Sequence, residues 1–450
     1  MIIEITYMIA FALLALLIYT VIGFIPGTDE TSVLLPISLS LILLGIKETY
    51  ILSFFISAII TLNLTNAMPT ALVGLPGGVM SSPMIESSLK IKALGQSAKL
   101  IQKMAAACLI SVLISVPTSL LIANLIAPYA SYIQPYGSYI FIVGAIFLSL
   151  TAKNKLLSLF SIIPLAVLFI SLRHLYWGLK ILPANTTISV SFFLGITIGP
   201  LMITLLKLLN KKEFENLRVN EKNQITIPKS TLIKTINPFK ILNKDELKQT
   251  SILSLIANFL FILSPVGLVI LLGNMTYNKF KNNENRNFIT ITTMSSITQS
   301  TYLSGIIIPL FALGIPLSPV SLGPGAALYQ AMPRYDLTNN LHYSLSFNDF
   351  ILACLIGTLV AGILSYLLIL KFAPNITKFV LNKIPHEAVL ALFVVFTGLL
   401  AYMDAGIINV FAVILIAIVS GSLNEKGVNV GVQFMTLYAS PIIIDLLSRI

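Results

Sequence analysis

Long apolar stretches recur along nearly the whole chain, and short polar or Pro- and Gly-containing turns separate them. Most of these stretches approach the ~20 residues that a helix needs to cross a bilayer. Continuous apolar runs of that length are typical of membrane-spanning helices rather than strands. We therefore predict an all-α polytopic membrane protein. The predicted spans are 5–24, 31–45, 49–66, 104–127, 136–152, 156–172, 186–209, 250–273, 287–302, 347–372, 386–402, 407–422 and 428–447.

One long polar segment, 210–249, interrupts this pattern near the middle of the chain. Lys and Arg outnumber Asp and Glu there, which predicts a cytoplasmic position beside anionic membrane lipid. Aromatic residues are sparse in the segment and predicted spans flank it, so we predict no nucleic-acid partner. We divide the chain into a first membrane repeat, 1–209, a basic linker, 210–249, and a second membrane repeat, 250–450.

Two segments that lie 240 residues apart share the pattern Pro-x4-Gly-(Leu/Ile)-Pro inside apolar sequence. The first begins at Pro69 and reads Pro-Thr-Ala-Leu-Val-Gly-Leu-Pro-Gly-Gly; the second begins at Pro309 and reads Pro-Leu-Phe-Ala-Leu-Gly-Ile-Pro-Leu-Ser. Proline removes a backbone donor and glycine frees the backbone, so each segment should break a helix. Broken backbone inside a membrane is tolerated only where protein buries it or it lines a cavity.

We predict two broken, re-entrant hairpins, at 67–90 and 303–333. Lysines follow the first hairpin, whereas nearly neutral sequence with Arg334 and Asp336 follows the second. This difference predicts that the hairpins open to opposite sides, as inverted repeats require. One repeat-derived core would then move against a scaffold, as in an elevator-type carrier. The alternative is that both motifs are only kinked helices.

Composition supports the membrane interpretation and argues against a disulfide-rich protein, a metalloprotein and an ATP-driven pump. Apolar residues make up 56% of the chain and charged residues 10%, against about 25% charged in a globular domain. Two cysteines in apolar segments give no disulfide framework, and three scattered histidines give no metal site. The chain has no phosphate-binding Gly-x4-Gly-Lys-(Ser/Thr) segment and no catalytic His-Glu-x-x-His or Gly-x-Ser-x-Gly. We predict no catalytic residues and no cofactor.

Short polar side chains and glycines cluster around both predicted breaks, where they could share a site with free backbone groups. Half-helix N-termini there would suit a carboxylate without a cation in the membrane. The predicted substrate-binding residues are Asn66, Thr70, Gly74, Pro76, Gly77, Gly78, Ser81, Gln299, Ser300, Ser304, Gly314, Pro316 and Ser318. For any single residue, hydrogen bonding between helices is the alternative role.

A coupling Na⁺ would need oxygen ligands, and we predict Asn63, Thr65 and Asp29 as candidates. Asp29 and Glu30 follow the Pro26-Gly27 turn after the first span. They could be cation ligands, or they could form an interfacial turn and helix cap.

Three motifs resemble signatures of the large membrane subunit of tripartite tricarboxylate transporters. They are Gly23-Phe-Ile-Pro-Gly, Gly74-Leu-Pro-Gly-Gly and Ile308-Pro-Leu-Phe-Ala-Leu-Gly-Ile-Pro. The chain departs from that family where Leu317 follows Pro316 and where Glu86-Ser87 stands near the family's Asp-Gly-Tyr-Pro. These departures are typical of a divergent branch that could work alone.

The resemblance implies uptake of a small organic acid, together with a small membrane subunit and an extracellular binding protein. We therefore predict a secondary active carboxylate transporter in the plasma membrane, coupled to Na⁺ or H⁺ and able to form a homodimer. The alternatives are a channel, a flippase for a lipid-linked precursor and an intramembrane enzyme.

Overall fold

The computed structural model describes residues 2–25, 30–74, 77–133, 136–182, 189–208, 233, 235–331, 334–336, 339–383 and 386–449. Within these ranges the chain is almost entirely helical, and the only β-type pairing consists of isolated bridges around residues 331–339. Seven of the described helices are long and apolar enough to cross a membrane, and shorter apolar helices accompany them. The prediction of an all-α polytopic membrane protein is confirmed.

The described part of the first half contains ten α-helices. They are α1 (Ile2–Gly23), α2 (Glu30–Leu43), α3 (Glu48–Asn66), α4 (Met68–Val73), α5 (Ile85–Ala93), α6 (Ser97–Ile126), α7 (Ala130–Ile133), α8 (Gly137–Thr151), α9 (Lys155–Gly178) and α10 (Ser189–Leu208). The second half contains α11 (Pro238–Ile241), α12 (Lys244–Phe259), α13 (Pro265–Lys279), α14 (Arg286–Ala312), α15 (Pro319–Leu322), α16 (Leu341–Ser344), α17 (Phe347–Lys383), α18 (His386–Glu425) and α19 (Val430–Ser448).

The elements on either side of the two broken segments match in order and length. The helical stretch before the first break, Glu48–Val73, has 26 residues, and α14 before the second has 27. The long helix after each break covers 37 residues, at Ser97–Ile133 and at Phe347–Lys383. Helix α18 is kinked by non-helical backbone at Ala405 and Gly406, so its two parts correspond to α8 and α9. This order is what a duplicated unit would produce.

The two series interlock in space. Helix α6 from the first half packs on α12 and α14, while α17 from the second half packs on α1 and α3. In the same way, α19 packs on α8 and α9, while α10 packs on the kinked α18. The division of the chain into repeats stays a prediction, but the halves clearly share one interior.

A buried ion pair also joins the two halves. Lys103 of α6 donates to Glu246 of α12 with an Nζ–Oε2 distance of 2.6 Å, and both side chains are almost fully buried. Glu246 also accepts the N–H of Asn243, and Asn243 caps the start of α12. Removing either partner of such a pair would leave an uncompensated buried charge.

The outer surface is apolar, as expected of helices that face lipid. Leu17, Leu121, Phe160, Leu359 and Phe411 are each more than half exposed. A soluble monomer rarely presents so many large apolar side chains on successive helices. Together with the helix lengths, this surface identifies a multi-pass membrane protein.

Two predicted boundaries were wrong. The predicted span 250–273 is two helices, α12 and α13, because Pro265 begins a new helix that Ser264 caps through the N–H of Gly267. The second predicted hairpin starts too early, since α14 continues without interruption to Ala312. Of the predicted linker, only 233 and 235–249 lie within the described residues.

Candidate functional site

The first broken segment ends a helix on a left-handed glycine. Gly74 follows α4 with φ +81° and donates its N–H to the carbonyls of Pro69 and Thr70 at 3.2 and 3.1 Å. Pro69 has no N–H, so the carbonyl of Thr65 loses the donor that an unbroken helix would supply. That carbonyl accepts the N–H of Ala67 instead.

The second broken segment ends in the same way. Gly314 has φ +67°, and its N–H bonds the carbonyl of Pro309, five residues earlier, at 3.0 Å. Pro309 deprives the Gly305 carbonyl of its helical donor, and the hydroxyls of Ser318 and Ser321 both donate to that carbonyl. The shared sequence pattern therefore gives a shared backbone turn.

After the first break the chain returns against the end of α3. A methyl group placed on Gly77 would lie 1.8 Å from the carbonyl oxygen of Asn66, which is closer than any real contact. A 3₁₀ helix, Val79–Met84, then leads into α5. The hydroxyl of Ser81 both accepts the N–H of Gly78 and donates to its carbonyl, at 3.2 and 3.0 Å. Glycine at 77 is thus required by the close approach of two backbones.

A small enclosed cavity lies between this returning segment, the end of α3, the start of α2 and the middle of α14. Its volume is about 10 Å³ of room for a water-sized sphere, enough for roughly one water molecule. Ligand pockets for organic molecules have about 300–1,000 Å³, so this cavity suits an ion or a water. The lining residues are Glu30, Asn63, Asn66, Ala67, Met80, Ser81, Met84, Ser295 and Thr298.

The polar groups of the cavity include a buried carboxylate and a buried amide. Glu30, the first residue of α2, is only 2% exposed, and the Asn66 amide donates to its Oε1 at 3.0 Å. Asn63 is 5% exposed, and neither its oxygen nor its nitrogen has a hydrogen-bond partner among the described residues. An unsatisfied buried amide costs about 1–3 kcal/mol. The cavity is therefore a place where a polar ligand would be stabilised.

The structure brings together some of the predicted site residues. Asn63, Asn66 and Ser81 line the cavity, and Gly77 and Gly78 form the adjoining backbone. The predicted residues Pro76 and Asp29 lie outside the described residues.

Other predicted residues are held in local hydrogen bonds away from the cavity lining. Thr65 donates to the Tyr19 carbonyl as well as within α3. Ser300 and Ser304 bond carbonyls of their own helix, at 3.2 and 2.8 Å. Thr70 is fully buried in α4, next to the helix end at Gly74. The contacts of Thr65, Ser300 and Ser304 hold helices together, and a role of these residues in binding stays a prediction.

The remaining predicted residues lie at or before the second break. Ser318 caps α15 by accepting the N–H of Ser321, and Pro316 is buried beside it. Gln299 is fully buried, and its amide has no hydrogen-bond partner within the described part of the chain, although it does not line the cavity.

Three polar lining residues, Glu30, Ser295 and Thr298, were not among the predicted site residues. Glu30 was considered with Asp29 only as a possible cation ligand or helix cap. Ser295 and Thr298 lie three residues apart on α14 and so share one helix face. That spacing is the one signal in the sequence that could have found them.

A buried cation lies in the apolar helix α9. Arg173 is 6% exposed, and its Nε has no acceptor among the residues that the structure describes. Arg173 does not line the cavity.

The described residues contain no group of three or more His, Cys, Asp or Glu side chains that could hold a metal ion. The family model described as the Tripartite tricarboxylate transporter TctA family matches residues 9–433. No curated protein and no solved structure matched the chain. A match of this extent shows that the chain belongs to the Tripartite tricarboxylate transporter TctA family.

Proposed function

We propose that the protein is a secondary active transporter of a small organic carboxylate in the plasma membrane. The observation that carries the proposal is the pair of matched helix breaks, at Gly74 and Gly314, inside a member of a transporter family. Broken helices in corresponding positions of two halves are the usual place of substrate and coupling-ion sites in secondary transporters. The division into repeats 1–209 and 250–450, with inverted orientation, is part of the proposal.

The packing of the helices supports an alternating-access mechanism. One group consists of α1, α3–α6, α12–α14 and α17, which pack mainly on one another and carry the segments leading into both breaks. The second group consists of α8–α10, α18 and α19. Helix α2 contacts both groups, and its Ser32 donates to the carbonyl of Thr197 in α10 at 3.0 Å. In our proposal the break-bearing group moves against the second group.

Under this proposal, the small size of the cavity indicates that the structure shows a closed conformation. A volume of about 10 Å³ cannot take a carboxylic acid, so substrate entry requires the returning segment at Gly77–Met84 to move. Motion of a hairpin between two packed groups is how a carrier can expose one site to each side in turn. The substrate itself would contact the break residues Asn66, Gly77, Gly78 and Ser81, which adjoin the cavity.

The proposal is tested with the purified full-length protein. Thermal unfolding is measured with a panel of mono-, di- and tricarboxylates, because a ligand that binds the native state raises the unfolding temperature. Stabilising acids are then followed by counterflow in proteoliposomes. We expect saturable exchange of at least one carboxylate. The proposal would be contradicted if no acid stabilised the protein and no acid was exchanged. Uptake of an acid without counterflow would indicate a channel.

The family's name describes a transporter of three parts, and we propose that a small membrane subunit and an extracellular binding protein are the other two. To test whether these two parts are needed, uptake by the chain alone is compared with uptake after co-expression with the small membrane subunit and the binding protein. Cross-linking in the membrane tests the proposed homodimer.

A further inference from the structure

We infer that the surface between α5, the end of α13 and the start of α14 binds the phosphate headgroup of an anionic phospholipid. Two cations from different halves of the chain meet there at one tyrosine. The Cζ of Arg286 lies 3.2 Å from the centroid of the Tyr277 ring, and the Nζ of Lys90 lies 5.6 Å from the same centroid. Lipid binding at this surface does not depend on the proposed function.

Tyr277 holds both cations in place. Arg286 donates from Nε to the Tyr277 carbonyl at 2.9 Å, and Lys90 donates to the Tyr277 hydroxyl at 3.3 Å. The negative face of the ring also attracts the guanidinium that lies over it. Two long side chains are thereby positioned near one point, so less conformational entropy is lost when one anion binds to both.

The carboxylate at this surface does not neutralise both cations. Glu86 accepts a hydrogen bond from Lys90 at 2.6 Å and acts on Arg286 from a longer distance. Glu86 and Lys90 are both exposed, so water screens their attraction and the pair contributes little. Arg286 itself has no ion-pair partner among the residues that the structure describes. One carboxylate therefore leaves a net positive charge at Tyr277.

The neighbouring sequence adds to this charge. In the segments 85–99 and 277–286 the cations are Lys90, Lys92, Lys99, Lys279, Lys281 and Arg286, and the carboxylates are Glu86 and Glu284. Asp245 is also near, because Asn283 donates to it at 3.4 Å, but it does not remove the excess. Helix α14 begins at Arg286, and Asn285 makes no side-chain hydrogen bond that would cap it, so the positive end of the helix dipole adds to the potential. An anionic headgroup is the complement of this surface.

Apolar side chains continue from the cations toward the membrane interior. Ile270, Leu271 and Met275 of α13 are exposed and lie within two helical turns before Tyr277. Leu89 of α5 is exposed beside Lys90. Tyrosine and basic residues at the end of an exposed apolar helix face are typical of the level of phospholipid headgroups. A phospholipid would cover this apolar surface as well as the cations, which a free phosphate would not do.

A bound lipid would join the first hairpin to the second half of the chain. Lys90 belongs to α5, which follows the first break, and α5 packs on α14 while the returning segment Val79–Met84 packs on α13. A headgroup that accepts hydrogen bonds from Lys90 and Arg286 together would strengthen this junction. We therefore expect the lipid to stabilise the folded protein in the arrangement that the structure shows.

The test uses the full-length protein, purified in a non-ionic detergent and depleted of lipid. Phosphatidylglycerol, phosphatidylcholine or glycerol phosphate is added in increasing amounts, and binding is followed by the unfolding temperature and by native mass spectrometry. We expect phosphatidylglycerol to raise the unfolding temperature in a saturable way and to stay bound in the mass spectra. Phosphatidylcholine tests the need for net negative charge, and glycerol phosphate tests the need for acyl chains. Neither should match phosphatidylglycerol.

Substitutions of the two cations locate the site. Lys90→Gln and Arg286→Gln should each weaken phosphatidylglycerol binding about fivefold, because one basic residue near an anionic surface contributes about 1 kcal/mol. Arg286→Lys keeps the charge and should retain more binding than Arg286→Gln. Size-exclusion chromatography confirms that each variant is intact.

Lys371→Gln is the matched control. Lys371 is also an exposed lysine beside an aromatic ring, with its Nζ 5.1 Å from the centroid of Phe372. It lies on α17, which packs mainly on α1, α3 and α6. Lipid binding should be unchanged in this variant.

Three outcomes would overturn the lipid site. The first is equal stabilisation by phosphatidylglycerol and phosphatidylcholine. The second is equal weakening of binding in Lys371→Gln and in the two site variants, which would show a general attraction between basic residues and anionic lipid. The third is stabilisation by glycerol phosphate as strong as that by the lipid, which would show a site for free phosphate. Carboxylate exchange is measured separately, so none of these results decides the proposed function.

Discussion

The two helix breaks have the same backbone turn but differ in how far side chains satisfy the polar groups around them. At the second break, side chains occupy the exposed backbone groups: Ser318 and Ser321 bond the Gly305 carbonyl, and Asn340 donates to the Gly314 carbonyl at 2.8 Å. His342 Nδ1 also lies 2.9 Å from the Leu310 carbonyl oxygen. The second break is therefore closed by its own hydrogen bonds.

At the first break the surroundings are less complete. Lys92 donates to the Val73 carbonyl at 3.2 Å. The adjoining cavity holds the buried Glu30 carboxylate, to which Asn66 donates, and the Asn63 amide, which has no hydrogen-bond partner among the described residues. The shared motif thus ends a helix inside the protein at both breaks, whereas the neighbouring residues determine what each helix end can bind. Under the proposed function the substrate contacts the first break, and the second break mainly supports the structure.

The largest effect should come from Gly77→Ala. The added methyl group would meet the backbone oxygen of Asn66, which cannot move without shifting the end of α3. Overpacking of this kind costs about 1–3 kcal/mol or more, and we expect carboxylate uptake to be lost. Unfolding temperature and uptake are the measurements. Gly398→Ala, at a glycine with open space around it, is the control and should behave like the wild type.

Gly74→Leu and Gly314→Leu should both abolish uptake while the protein remains inserted. Positive φ costs a non-glycine residue roughly 1–2 kcal/mol, and the new side chains would meet Leu89 and the His342 ring. Gly45→Leu separates the two causes, because Gly45 also has positive φ but lies in open space. Normal uptake in both break variants would show that the breaks are only packing kinks.

The serine hydroxyls should distinguish the two breaks by their effects on stability and on carboxylate binding. Replacing both Ser318 and Ser321 by alanine leaves the Gly305 carbonyl without these donors, and we expect about 1–3 kcal/mol of destabilisation with carboxylate binding retained. Ser81→Ala should reverse the pattern, with a smaller loss of stability and weaker carboxylate binding, because Ser81 adjoins the proposed substrate site. Thermal unfolding with and without a stabilising carboxylate measures both effects. Identical patterns in the two variants would remove the contrast between the breaks.

The smallest perturbation tests the orientation of the two hairpins. Ala93 and Asn339 are exposed, and each follows one of the breaks, so cysteines there should react with an impermeant maleimide from opposite sides of the membrane. The native Cys108 and Cys354 are buried and should not react with the maleimide. Labelling of both introduced cysteines from one side would contradict the inverted-repeat proposal.

The sequence by itself determined the class, the family and the presence of two helix breaks. Apolar length predicts the spans because a bilayer sets one helix length. Proline and glycine act locally, so Pro69 with Gly74 and Pro309 with Gly314 predict two breaks, and the structure shows each break as a left-handed glycine. The polar residues Asn63, Asn66 and Ser81 could be placed near the first break for the same local reason.

Only the tertiary structure decided which polar groups meet. Burial of the start of α2 is what brings Glu30 into the cavity. Ser295 and Thr298 join it from more than 200 residues away because α14 packs against the elements of the first break. Ser300 and Ser304 share their helix and their chemistry but bond within it. Which face of a buried helix points to a cavity depends on contacts between distant segments, and in a helix that is buried on all sides no apolar periodicity records that direction.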